Sequence, residues 1–118
     1  MKDGFPYLKK TADGLVVQTT QAKHAAQLEA LQETVFPTLA KSALFRAPHY
    51  LNHILIFPEG QFVVTDGDKV VGMTSTIRYH LDEKKPSTFA EVIDGGFLNT
   101  HEPDGEWLLG LDIGTQPQ

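Results

Sequence analysis

The sequence predicts an α+β domain of the α/β sandwich type, a mainly antiparallel sheet with two helices near its start. The expected order is strand, helix, helix, strand, strand, short helix, strand. Three observations carry this. A β-rich run at 15–20 gives way to apolar residues at helical spacing. Two further β-rich runs flank Asp66-Gly67-Asp68, and an apolar run reappears at 107–113.

Residues 1–14 are polar, broken by Gly4, Pro6 and Gly14, and read as an arm preceding a domain at 15–118, with Phe5, Tyr7 and Leu8 able to pack back on it. Residues 15–20 (LVVQTT) suit a first strand. From Thr20 the period changes. Ala22, Ala25, Ala26, Leu28, Leu31, Val35 and Phe36 fall on one helix face, with Lys23, Gln27, Glu29 and Gln32 opposite. Thr19 or Thr20 is placed to cap this helix, and Pro37 to end it. A second helix is expected over 44–57, where Pro48 fits only near the start.

The runs at 61–65 and 69–79 around the Asp-Gly turn read as a hairpin, and Gly72 inside the second suggests a bulge or a close backbone approach. A charged connector at 80–87 leads to Thr88-Phe89-Ala90-Glu91, a capping box for a short helical turn that ends at Asp94-Gly95-Gly96. A turn-rich loop over 99–106 feeds the last strand. That strand is apolar and needs neighbours and cover, so the chain is expected to be the front part of a larger fold.

Composition narrows the function. One domain fits in 118 residues, 41% of them apolar and 21% charged. A net charge of −5 with scattered basic residues argues against a nucleic-acid partner. The absence of cysteine excludes disulfides, thiolate metal sites and thiol catalysis, and sits most easily with a cytoplasmic protein. No run is long and apolar enough for a membrane span.

The final stretch, Trp107-Leu108-Leu109-Gly110-Leu111-Asp112-Ile113 followed by Gly114-Thr115-Gln116-Pro117-Gln118, resembles the fourth strand of the GNAT superfamily of acetyl-CoA-dependent N-acyltransferases. The family's next feature, a glycine-rich R/Q-x-x-G-x-G/A loop, does not follow here. The resemblance therefore covers the whole chain but only the first half to two-thirds of the family's fold. Thr100-His101-Glu102-Pro103-Asp104-Gly105-Glu106-Trp107 and Phe57-Pro58-Glu59-Gly60-Gln61-Phe62 are similar to one branch of the superfamily, some members of which are fused to a nitrilase-like hydrolase.

The resemblance implies transfer of an acetyl group from acetyl-CoA to an amine. It places main-chain cofactor contacts at Ile113 and Thr115, with Gly114 at a bulge between them. The glycine-rich anchor for the CoA pyrophosphate is missing, so the chain alone is expected to be inactive and to bind CoA weakly.

Positions that supply a base in some members align with the apolar Leu109 and Leu111. Asp112 is titratable, but two-residue alternation sets it on the face opposite Leu109, Leu111 and Ile113, as a structural carboxylate before a base. Glu33 and the loop residues His101, Glu102, Asp104 and Glu106 are the other candidates, and a water relay needs no side chain at all.

Arg46, His49, Tyr50 and His53 form the most chemically varied stretch. Arg46, His49 and Tyr50 are candidates for the acceptor site, against the plainer reading of a solvated helix face. His49 and His53 share a helix face but have neither an HExxH glutamate nor a third ligand, so no metal is expected. A second function class stands beside the enzyme: a non-catalytic interaction module whose exposed last strand pairs with another chain, by self-association or by capture of a partner.

Overall fold

The computed structural model describes residues 4–82 and 87–117. Five strands form one antiparallel sheet in sequence order: β1 (Leu8–Lys10), β2 (Val16–Thr19), β3 (Phe62–Asp66), β4 (Lys69–Tyr79) and β5 (Trp107–Thr115). Helices α1 (Ala25–Val35) and α2 (Ala47–Ile56) enter between β2 and β3, and the short α3 (Phe89–Ile93) precedes β5.

The α+β class and the element order agree with the sequence, with one addition. The segment read as an arm contributes β1, which pairs with β2 as Leu8 opposite Gln18 and Lys10 opposite Val16. Tyr7 anchors it by packing edge-to-face on Phe62, 6.0 Å between ring centres. Met1 to Asp3, part of the connector at 80–87, and Gln118 lie outside the described residues.

The hairpin forms around Gly67-Asp68, with Asp66 opposite Lys69 and Gly67 at φ +60°, the left-handed backbone that a two-residue primed turn needs at its first position. The irregularity expected at Gly72 is a bulge. Val64 pairs with Gly72 and Thr65 with Val70, so Val71 is the extra residue. Gln27 of α1 pins this hairpin, donating to the Asp68 carbonyl at 2.9 Å and accepting from the Val70 amide at 2.8 Å.

α1 begins one turn later than the pattern suggested, after a 3-10 turn at Ala22–His24. Neither threonine caps that turn; the His24 ring accepts the Gln21 amide at 3.0 Å instead. α2 starts at Ala47 with Pro48 in its first turn, where a missing N–H costs nothing. The Thr88 capping box is present: its hydroxyl accepts the Glu91 amide at 3.2 Å, and the Glu91 carboxylate accepts the Thr88 amide at 3.3 Å.

The core lies between the sheet and the helices, built on Leu28, Val63, Ile77 and Leu98, each at most 1% exposed, with Phe45 and Tyr50 from the α2 side. Beyond β3, the 99–106 loop takes over the second edge of β4. The Arg78 amide donates to His101 Nδ1 at 3.0 Å, the Glu102 amide to the Arg78 carbonyl at 2.9 Å, and Arg78 Nε to the Gly105 carbonyl at 2.9 Å.

Candidate functional site

β5 pairs with β4 along its whole length and, among the described residues, has no strand on its other side. A bulge interrupts this ladder. Leu109 lies opposite Ile77 and Gly110 opposite Thr76, whereas Asp112 lies opposite Ser75, leaving Leu111 as the extra residue. The bulge resets the alternation. Asp112 therefore shares the inner, helix-covered face with Leu109, contrary to simple two-residue counting, and Ile113 turns to the opposite face at 75% exposure.

The family-based position for the bulge, Gly114, is likewise corrected to Leu111. Gly114 instead returns to the inner face, where a β-carbon would lie 3.4 Å from the Val35 methyls of α1.

Backbone directions on β5 follow from its far end. The Gln116 amide donates to the Val71 carbonyl at 2.7 Å, so that pair is hydrogen-bonded across the ladder. Counting back by twos turns the amides of Gly114 and Asp112 toward β4. The N–H and C=O groups of Ile113 and Thr115 then point to the open edge.

Beneath β5, α1 and α2 meet in a polar cluster. Asp112 Oδ2 accepts from Gln32 Nε2 at 2.6 Å and from the Tyr50 hydroxyl at 3.1 Å. Gln32 Oε1 accepts the Phe45 amide at 3.2 Å, which fixes the side-chain amide that reaches Asp112. Burial pushes the Asp112 carboxyl above the usual range, and the two donors pull it part of the way back. Burial and the neighbouring carboxylate push the Tyr50 hydroxyl far up, so it stays protonated and donates.

Two clefts open along the same strand. One, of about 420 Å³, has Gln32 and Asp112 as its polar lining and Phe36, Phe45 and Ile93 among its apolar walls. The other, of about 490 Å³, lies toward Tyr79, Leu81 and Leu108. They share Phe89, Gly110 and Leu111, so the bulge stands where the two meet.

Of the residues singled out from sequence, Asp112 and Tyr50 come together here and Glu33 does not. Glu33 is exposed on α1 and lines neither cleft, while its neighbour Gln32 points inward. Helical spacing sets Gln32 on the solvent face together with Gln27 and Glu29; all three instead bond to the protein, Glu29 accepting the Ala47 amide at 3.0 Å. A signal for Gln32 existed, since it follows Leu28 by four residues and shares its stripe.

Nor is the α2 stretch a solvated face. Tyr50 and His53 are 2% and 1% exposed. Arg46 is exposed at the start of α2 and its amide donates to His49 Nδ1 at 2.8 Å. His49 is half-buried, 4.5 Å from the Phe97 ring, and burial with the Arg46 charge holds its pKa low.

His53 Nε2 donates to the Gly96 carbonyl at 2.6 Å, and burial pushes its pKa down to about 4. His101 stacks on Phe57, 4.4 Å between ring centres. Glu102 accepts the His80 amide at 3.2 Å, and Asp104 lies 3.5 Å from the His80 ring; neither lines the clefts. No helix among the described residues is long and apolar enough to cross a membrane.

No protein-family model matches the chain. Among curated proteins of Bacillus subtilis (strain 168), it is 26% identical over 105 residues to the probable hydrolase YhcX, covering 88% of this chain and 20% of that protein. It is also 26% identical over 119 residues to the uncharacterized N-acetyltransferase YkwB, 99% of this chain and 53% of that protein. The chain thus spans about half the length of one such relative and a fifth of the other.

Among solved structures it is similar to the loading GNATL domain of CurA from Lyngbya majuscula, with a TM-score of 0.70 at 18% identity over 87% of this chain and 48% of that one. It is similar also to the GphF GNAT-like decarboxylase in complex with isobutyryl-CoA, with a TM-score of 0.64 at 18% identity over 86% and 48%. The antiparallel sheet, the paired helices between β2 and β3, and these likenesses together make the chain a GNAT-fold protein.

Proposed function

We propose that this chain provides the donor-binding strand and the acceptor cleft of an acyltransferase that moves an acetyl group from acetyl-CoA to an amine. The observation that carries the reading is the edge of β5, where the backbone groups of Ile113 and Thr115 point outward beside a bulge that opens onto two clefts. The N-acetyltransferase name of one relative and the acyl-CoA held by one GNAT-like neighbour support it.

Ile113 and Thr115 hold the amide-bearing arm of the donor as an added strand. Bound acetyl-CoA supplies a thioester whose acyl carbon is attacked by an amine, the C–N bond forming as the C–S bond breaks and the sulfur leaving as thiolate. Asp112, oriented by Gln32 and Tyr50, takes the proton that the ammonium must lose. Its burial favours the protonated acid, which suits a group that gains a proton during the reaction. Glu33, exposed and outside both clefts, has no part in this.

Residues 116–118 supply no glycine-rich turn, so the 118-residue chain is expected to bind acetyl-CoA weakly, with no turnover. Substituting Thr115→Pro removes one outward N–H at the end of an edge strand, where proline is tolerated. The variant should melt within a few degrees of the parent and lose the NMR response to millimolar acetyl-CoA. An undiminished response would sink the strand-addition reading, and micromolar affinity of the parent chain in calorimetry would overturn the expectation of weak binding.

A second reading is favoured by the exposure of the same strand: Trp107 at 55%, Leu108 at 64% and Ile113 at 75%. Two copies pairing through β5 would cover this edge and make the chain a homo-oligomer.

A further inference from the structure

The cleft beside Asp112 carries information about the acceptor that a generic amine site would not. Its walls are Phe36, Leu39, Phe45, Phe89, Ile93 and Ile113, a nearly continuous apolar and aromatic surface. Its side-chain polar groups are confined to Gln32 and Asp112. Asp112 is the single ionisable group in that lining, and both protein donors that reach it use Oδ2. Among the described residues no donor occupies Oδ1, so the carboxylate has acceptor capacity left for a ligand.

At about 420 Å³ the cleft falls within the range of small-molecule sites. A lone anion at the side of an apolar cleft selects a compact cation on an apolar body. A polyamine would have to bury a second charge without a partner, and an acid would meet Asp112 as a like charge. The neighbouring rings add attraction for an ammonium held near their faces. A net charge of −5 over the chain acts in the same direction.

We propose that this cleft binds a primary amine with an aromatic or branched apolar side chain, its ammonium on Asp112 and its body against Phe36, Phe45 and Phe89. This deepens the acyltransferase reading and rests on it for the purpose of the site, but the binding step is testable without any donor. The probe is phenethylamine, titrated into the 118-residue chain with no CoA present and followed by ¹H–¹⁵N NMR. Neutral 2-phenylethanol and the diamine putrescine serve as comparisons.

The expected result is saturable shifts centred on Gln32, Leu111 and Ile113, with phenethylamine at least about tenfold tighter than either comparison. That ratio reflects one charge-assisted hydrogen bond combined with apolar burial. Asp112→Asn should remove the preference for the amine over the alcohol. Because that substitution touches a buried cluster, Leu39→Lys provides a second test. Leu39 is 47% exposed, so a lysine there sets a like charge at the cleft wall without opening the core, and it should weaken phenethylamine at least about tenfold.

Equal binding of amine and alcohol, tighter binding of putrescine, or an unaffected Leu39→Lys variant would each overturn the proposal. Amine binding in a chain that shows no response to acetyl-CoA would leave this inference standing while removing the donor reading. A response to acetyl-CoA without amine selectivity would do the reverse.

Discussion

Asp112 is held by a glutamine and a tyrosine, both buried and both from helices, and the balance of that cluster sets its behaviour. Gln32 bridges two partners: the Asp112 carboxylate, to which it donates alongside Tyr50, and the Phe45 amide. Replacing it by the shorter, apolar leucine leaves a buried N–H unpaired and removes a donor from a buried carboxylate. Gln32→Leu is therefore expected to destabilise the fold by about 3 kcal/mol in urea denaturation. Glu33→Gln, one residue along on the exposed face, should change stability by less than about 0.5 kcal/mol.

His53 gives a pH dependence of definite sign. Its pKa is depressed to about 4 in the fold against an ordinary value near 6.5, so the unfolded chain binds the proton more tightly. Stability from this group is complete above about pH 6.5 and is lost as the pH falls toward 4, up to about 3 kcal/mol. Depressed pKa values at His24 and His49 act in the same direction. Asp112 opposes them: its raised pKa means that its contribution falls as the pH rises above the ordinary carboxylate value. Urea titrations between pH 4 and 7 should show stability rising with pH. A flat or falling profile would contradict the burial of neutral histidines.

At the scale of elements, the strands and helices were legible where side-chain period and turn chemistry agree. The Gly67 turn, the Pro48 start of α2 and the Thr88–Glu91 cap are local devices whose residues act on their immediate neighbours, so sequence alone carries them. The bulges at Val71 and Leu111 are different. Each is a property of two strands in register, and nothing in the residues Leu-Gly-Leu-Asp-Ile marks which one is left without a partner. That is why counting by twos put Asp112 and Leu109 on different faces.

The glutamines show the same limit, because Gln27 and Gln32 satisfy backbone groups distant in sequence and their polarity alone suggested solvent. The loop that flanks β4 depends on close backbone approach. A β-carbon at Gly105 would lie 2.3 Å from the Tyr79 backbone nitrogen, whereas one at Gly110 would meet nothing within 4 Å. Gly105→Ala should therefore cost more than about 2 kcal/mol and loosen the 99–106 loop, and Gly110→Ala should stay within about 1 kcal/mol.

Across the whole molecule, the sheet has one short edge at β1 and one long, bulged, apolar edge at β5. The first is blunted by its three-residue length and two lysines. The second has no such protection: β5 is nine residues long and carries no basic residue. An edge of this kind either pairs with another chain or receives a strand-like ligand. On the second reading, light scattering on the 118-residue chain is expected to show a dimer or larger species. Charged substitution at the exposed Leu108, as Leu108→Lys, should shift it toward monomer, and a monomeric parent would remove the second reading.

The donor's proposed seat along β5 is tested by a residue-resolved map of that strand. Acetyl-CoA should be added in millimolar amounts to the ¹⁵N-labelled chain while backbone amide shifts are followed. The largest changes are expected at Ile113 and Thr115, whose N–H groups face the open edge, and much smaller ones at Gly114, whose amide is committed to β4. Changes confined to other surfaces, or an unmoved spectrum, would contradict it.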